Sequence, residues 1–257
     1  MAVGYTRAVT RRDAHPGWFI TIEGPDGSGK TEQAARLRDR AEAARVPFVL
    51  AREPGGTDAG ERIRDVLFGA GATSAGLDRR TDALLFNASR AQLVSEVIRP
   101  GLEVGALVVA TRFADSTVAY QGFGSGLPVD DLRVIERFTT GGLLPDLTLL
   151  LDLPPEVGLS RKTAADHNKF ETHFDLAFHR RVRDGYRAMA AAEPERFVTI
   201  DADRSAADVF VDLLAAIGRA PRTARLGQRF AADVIGAADR AGEAQSEPVD
   251  ADSRRHR

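Results

Sequence analysis

The residues with the clearest capacity for chemistry form one unbroken string, Gly24-Pro25-Asp26-Gly27-Ser28-Gly29-Lys30-Thr31. Its spacing fits G-x-x-x-x-G-K-[ST], a phosphate-binding loop. The glycines let the chain wrap so that its N–H groups point inward at phosphate oxygens, and a helix that follows adds its positive N-terminal end. Gly24, Asp26, Gly27, Ser28, Gly29, Lys30 and Thr31 are therefore the candidate cradle for a nucleoside triphosphate. Lys30 is the mobile cation for the β- and γ-phosphates, and the Thr31 hydroxyl is the candidate ligand for Mg²⁺. Asp26 has a plainer alternative, a turn residue stabilising its own loop.

Such a loop works only between a strand and a helix. Trp18 to Glu23 (WFITIE) is a short apolar, β-branched run that predicts a buried first strand, and an alanine- and arginine-rich helix is predicted from the loop to about Arg45. Further strands are predicted at Pro47 to Ala51, Ala106 to Ala110, Leu147 to Leu153 and Phe197 to Ile200, with a last helix over Ala206 to Ile217. Between the second and third strands, Leu77 to Val104 predicts one long helix with Leu84, Leu85, Ala88, Val94, Val97 and Ile98 on one face. Strands alternating with helices predict an α/β fold, a doubly wound parallel sheet of about five strands flanked by helices. Such a sheet binds ligands at the carboxyl ends of its strands.

The chain has 257 residues, 43% apolar and 28% charged, with a formal net charge of −2 and no cysteine. That predicts one α/β domain over 18–220, and it excludes disulfides, thiolate zinc sites and cysteine nucleophiles. The near-neutral charge speaks against a sequence-independent nucleic-acid binder, and no apolar run is long enough to span a bilayer. Residues 1–17 carry Arg7, Arg11 and Arg12 without an apolar core, which predicts a flexible leader rather than a secretory signal; 221–257 predict a flexible tail, with one helix near Arg229 to Ala241. A cytoplasmic location is expected.

Several further strings, in order, resemble the bacterial thymidylate kinases, which are P-loop nucleoside monophosphate kinases. They are Arg52-Glu53-Pro54-Gly55-Gly56-Thr57, Leu85-Phe86-Asn87-Ala88-Ser89-Arg90, Ser116-Thr117-Val118-Ala119-Tyr120-Gln121-Gly122 and Pro145-Asp146-Leu147-Thr148-Leu149-Leu150-Leu151-Asp152. The resemblance covers about Trp18 to Ala220. It implies transfer of the γ-phosphoryl group of ATP to dTMP with Mg²⁺, giving dTDP, and a homodimer with no nucleic-acid or membrane partner. It implies further that Arg52 and Arg64 hold the acceptor phosphate, that Phe86 stacks on thymine, and that Arg90 and Gln121 read the base edge. Tyr120 would crowd the 2′ position of the sugar, Asp26 would accept from the 3′-hydroxyl, and Ser116 would line the same subsite. Lys30, Arg112 and Arg161 are the implied catalytic cations. Taken alone, Phe86 reads more readily as plain core than as a stacking residue, and Arg64 equally as a solvated helix face. The acceptor is already an ionised phosphate, so no general base is required. His15, His167, His173, His179 and His256 are expected at the surface.

The chain departs from the family pattern in three places. Thr111-Arg112 stands where Asp-Arg is usual, and that aspartate helps to position Mg²⁺; Asp115 follows four residues on. Glu32 stands where a small hydroxylated residue is common, and its charge repels phosphate. The lid, about 161–171, offers only Arg161, Lys162 and Lys169 as cations. Within it Asn168-Lys169-Phe170-Glu171 imitates the guanine-reading string of GTPases but ends in Glu and does not follow a strand. These departures keep two alternatives open, a kinase for another deoxynucleoside monophosphate and a catalytically weakened nucleotide-binding relative.

Overall fold

The computed structural model describes residues 16–68, 77–161 and 174–220. The expected leader up to residue 15, the expected tail, the second and later residues of the lid, and the helix expected near Arg229 lie outside them.

Five strands form one parallel sheet: β1 (Trp18–Glu23), β2 (Phe48–Arg52), β3 (Leu107–Thr111), β4 (Leu147–Asp152) and β5 (Phe197–Asp201), in the order β2-β3-β1-β4-β5. The predicted fold class stands, and each strand lies within about a residue of its expected place. Near-continuous apolar runs form these strands because helices cover both faces of the sheet. Strand alternation sends Ile20 and Ile22 to one face, where they join Leu37, Val109, Leu149, Leu213 and Ile217. Phe19 points the other way, packing with Val108, Leu93 and Ile98, and meets Phe113 edge-on with ring centroids 5.0 Å apart.

The first-face helices are α1 (Lys30–Ala43) and, at the end of the domain, Ala206–Arg219. Helix α1 stops two residues earlier than predicted. Arg45 takes a left-handed φ of 57°, and the Arg45 and Val46 N–H groups turn back to the carbonyls of Glu42 and Ala41.

On the second face, α2 (Asp58–Phe68) and α3 (Arg79–Leu93) follow β2. The single long helix predicted to Val104 is divided instead: α3 passes into a π-helical turn at Val94–Ile98 and then into α4 (Arg99–Glu103). Pro100 explains the wider turn, since it has no N–H to donate and its ring clashes with the carbonyl four residues back. The predicted apolar face divides likewise, with Val94 and Ile98 buried and Leu84 exposed. After β3 come α5 (Ala114–Thr117), a second π-helical segment (Val118–Gly124) and α6 (Val129–Thr140). Helices α7 (Pro155–Ser160) and α8 (Leu176–Ala192) separate β4 from β5, which is followed by the last helix, α9 (Ala206–Arg219).

The strand order puts β1 between β3 and β4, so the chain leaves the tip of β1 where neighbouring connections diverge. That opening is where a parallel sheet of this kind binds its ligand.

Candidate active site

The loop from Gly24 to Gly29 connects the tip of β1 to α1. Its glycines are needed for space as much as for conformation. A Cβ on Gly24 would lie 2.3 Å from the Leu151 carbonyl oxygen, and one on Gly27 (φ +73°) would lie 1.9 Å from that of Gly158. The loop therefore rests on the backbone of α7, closer than any side chain permits. Lys30 is buried and folds back on the loop: Nζ donates to the carbonyls of Gly24 (2.9 Å) and Pro25 (2.7 Å) and to Ser28 Oγ (3.2 Å).

A cavity of about 780 Å³ opens beside this loop. Asp26, Gly27, Gly29, Lys30 and Thr31 line it on the side of the loop. The opposite wall carries Arg52, Arg64, Phe86, Tyr120 and Gln121, with Arg112 and Ser116 between the two sides. Strand β2 delivers Arg52, α2 delivers Arg64, α3 delivers Phe86, and the turn after β3 delivers Arg112. Of the expected site residues, Gly24, Ser28 and Arg90 are not in the lining. Gly24 and Ser28 serve the loop from behind.

Each polar group on the far wall already has a partner. Arg52 pairs with Glu61 at 2.7 Å, and Arg64 donates to the Pro54 carbonyl at 3.0 Å. Half-burial and the neighbouring Arg52 push the Arg64 guanidinium below its ordinary range. Phe86 meets Phe68 edge-on at 6.0 Å, and Gln121 Nε2 donates to Asp82 at 3.0 Å. The π-helical segment shows its wider turn where the Ser125 N–H reaches back to the Tyr120 carbonyl.

Arg90 was expected at the base edge, but its guanidinium is enclosed behind the wall. Nε donates to Glu53 (2.9 Å), Nη1 to Asn87 (3.2 Å) and Thr117 (3.0 Å), and Nη2 to the Phe113 carbonyl (3.0 Å). Here it braces the Arg52-Glu53-Pro54 turn. Burial raises the Glu53 carboxyl, and Arg90 opposes that rise.

Arg112 joins the two halves of the cavity. It takes a left-handed φ of 71°, its guanidinium pairs with Asp26 and donates to Ser116 (3.3 Å) and Tyr120 (3.1 Å), and it lies 4.8 Å over the Tyr120 ring. Asp26 thus faces Arg112, whatever bond it makes to a ligand.

The three departures have defined surroundings. Thr111 ends β3 and lines the cavity, whereas the Asp115 carboxylate is buried against Arg196, accepting at 2.6 and 2.9 Å. Asp115 therefore does not replace the missing carboxylate. Glu32 lies at the cavity edge and pairs with Arg36 at 2.8 Å. Arg161 lines the cavity while donating to the Ala202 carbonyl (2.9 Å) and toward Asp203 (3.4 Å). Lys162, Lys169 and the Asn168-Lys169-Phe170-Glu171 string lie outside the described residues, as do all histidines but one. That one, His179, is buried rather than at the surface: α8 is a core helix, and its Phe178 ring meets the imidazole edge-on at 5.3 Å.

Sequence reasoning missed Glu23, Tyr186 and Glu136, three buried polar groups behind the cavity. For Glu23 a signal existed, a charged residue closing an otherwise apolar strand.

The thymidylate kinase family model matches residues 22–213. The chain belongs to the thymidylate kinase family. It is 47% identical over 201 residues to the thymidylate kinase of Deinococcus radiodurans, covering 78% of this chain and 96% of that one. The thymidylate kinase of Thermomicrobium roseum is 50% identical over 188 residues, covering 72% and 87%. Among solved structures, the thymidylate kinase of Ehrlichia chaffeensis superimposes with a TM-score of 0.63 at 32% identity, over 77% of this chain and 97% of that one. The matched segment contains every cavity residue named above.

Proposed function

We propose that this thymidylate kinase family member transfers the γ-phosphoryl group of ATP to dTMP across the cavity between the loop at 24–31 and the Arg52–Phe86 wall. The observation that carries it is that one cavity holds both a triphosphate cradle and an arginine-lined acceptor side with an aromatic ring beyond it. Two ligands bound there have their phosphates facing each other, so positioning and charge neutralisation supply the catalysis.

In this proposal loop N–H groups and Lys30 hold the ATP phosphates, Arg52 and Arg64 hold the dTMP phosphate, and Phe86 stacks on thymine. Gln121 bonds the base edge, and the Tyr120 ring limits space beside the sugar. Asp26 and Ser116, both partners of Arg112, complete the acceptor side. Arg112 bridges the two phosphates, and Arg161 reaches them after leaving Ala202 and Asp203.

The residues present fit Mg²⁺ in a limited way. Thr31 lines the cavity, and a single hydroxyl suits a cation that would keep several waters and take its other ligands from phosphate. No group of three histidine or carboxylate ligands exists among the described residues. Mg²⁺, when bound, supplies neutralisation of the β- and γ-phosphate oxygens. Thr31 would offer it one oxygen, and Thr111 would offer a neutral hydroxyl where a carboxylate is usual.

A cytoplasmic location, where ATP is made available to dTMP, and a homodimer belong to the same proposal. Among the described residues no helix is long and apolar enough to cross a membrane. For the dimer, the packed pair α3 and α6 shows Leu84, Val134 and Phe138 to solvent, Phe138 at 88% exposure. Phe138→Glu should shift the protein toward monomer in sedimentation; an unchanged sedimentation coefficient refutes that interface.

The test of the reaction is ADP release measured with a panel of deoxynucleoside monophosphates. Preference for dTMP is expected. Preference for another member of the panel moves the substrate assignment, and dTMP binding without any turnover makes the chain a binder.

A further inference from the structure

The turn after β3 presents Arg112 to the cavity in a backbone conformation that costs an L-residue about 1 kcal/mol or more. Something must hold it there. The Arg112 N–H donates to the Ile22 carbonyl at 3.1 Å, and the next two anchors are both on Glu23. Its Oε1 accepts from the Phe113 N–H at 2.6 Å, and its Oε2 accepts from the Ser116 hydroxyl at 2.7 Å. Tyr186 on α8 donates to the same Oε2 at 2.9 Å and touches Ser116 Oγ at 2.8 Å. Ser116 Oγ in turn receives Arg112 Nη1. Glu23 is fully buried and outside the cavity lining, so it cannot touch a ligand.

We propose that Glu23 is a positioning residue for phosphoryl transfer: its ionised carboxylate ties the Phe113 amide and the Ser116 hydroxyl together, and so keeps Arg112 aimed at the reacting phosphates. Hydrogen bonds to a carboxylate are about twice as strong as neutral ones, and two of these span the turn whose shape decides where the guanidinium lies. A protonated Glu23 keeps its place but loses that grip, because one of its oxygens becomes a donor facing groups that already donate.

The charges around Glu23 make this grip depend on pH near neutrality. Burial, then Asp115, pushes its carboxyl up to about 7, opposed by the Ser116 hydrogen bond, by Arg112 and by Tyr186. From α3, Arg90 also feels the Glu23 charge. The ionised form is therefore the one that falls away as pH drops below neutrality.

The role rests on the reaction proposed above, so the test uses whichever monophosphate the panel returns as acceptor. Failure of the dTMP assignment then leaves the measurement on Glu23 intact. Steady-state kcat is measured from about pH 5.5 to pH 8.5 for the unaltered protein, for Glu23→Gln and for Tyr186→Phe. At alkaline pH the kcat of Glu23→Gln should be lower by about tenfold to a hundredfold, the cost of a misplaced catalytic group. The ratio should shrink toward one at acid pH, where the unaltered protein also carries a neutral side chain. Ionisation of the acceptor phosphate, with a second pKa of about 6, is common to both and cancels in the ratio. KM for ATP should change less than kcat.

Tyr186→Phe removes one donor to the carboxylate, so its acid limb should move to higher pH. This second variant decides the matter if Glu23→Gln fails to fold. A Glu23→Gln ratio constant with pH, or a Tyr186→Phe limb that stays in place, overturns the proposal.

Discussion

Glu136→Gln should change how the stability of this protein depends on pH. Glu136 lies on α6 with 7% of its surface exposed, and its Oε1 has no hydrogen-bond partner among the described residues. Burial pushes its carboxyl up to about 8; Arg90 opposes that and Asp115 adds to it. In the unfolded chain the same carboxyl titrates at its ordinary 4.5. Between those values the folded protein holds one proton more than the unfolded, so rising pH favours unfolding. The contribution of Glu136 is full below pH 4.5 and is lost as pH rises toward 8, at about 1.4 kcal/mol per pH unit. Glutamine has nearly the same shape and does not titrate. Urea unfolding at a series of pH values gives the difference in stability between the two proteins, which cancels the other titrating groups. From pH 5 to pH 7 that difference should move against the unaltered protein by roughly 2 to 3 kcal/mol. A difference that stays flat over this range would mean that Glu136 is ionised in the fold, and the reasoning from burial fails.

Lys30→Ala should lower kcat by about a hundredfold or more while dTMP affinity changes only a few-fold, because the ammonium neutralises charge that develops during transfer. Equal losses in kcat and in dTMP binding would place Lys30 in ground-state binding instead. Thr111→Asp should raise turnover at limiting Mg²⁺ in a titration of the metal; an unchanged Mg²⁺ dependence means that the carboxylate's task is met elsewhere. Gly158→Ala puts a Cβ 2.2 Å from the Asp26 carbonyl oxygen, so it should cost about 1–3 kcal/mol in thermal melts and weaken ATP binding. Wild-type ATP affinity in that variant would show that the loop does not depend on its seat against α7.

The strands and the loop were legible because they obey local rules: apolar runs covered on both faces, and glycines where phosphate must approach. The cavity residues on strand tips and helix starts were legible through the family strings. The unbroken helix to Val104 misled because periodicity does not see Pro100 forcing a wider turn. Arg90 shows a different limit: the direction of its long side chain is set by Glu53, Asn87, Thr117 and the Phe113 carbonyl, partners that come together only in the fold. Glu23 and Tyr186, 163 residues apart, meet only once the sheet and α8 are assembled. His179 was misplaced because its polar type outweighed its position: Phe178, Val182, Tyr186 and Met189 mark the inward side of α8 at helical spacing, and His179 lies on it.

The Lys30 ammonium is satisfied by its own loop, on the carbonyls of Gly24 and Pro25 and the hydroxyl of Ser28. On the function proposed above, an incoming phosphate must draw the ammonium off those three oxygens to obtain its charge, and a polyphosphate chain, which meets more of the loop's N–H groups than orthophosphate does, is better able to do so. In the proposed reaction that requirement favours a polyphosphate chain over a single orthophosphate, ahead of any contact with the base.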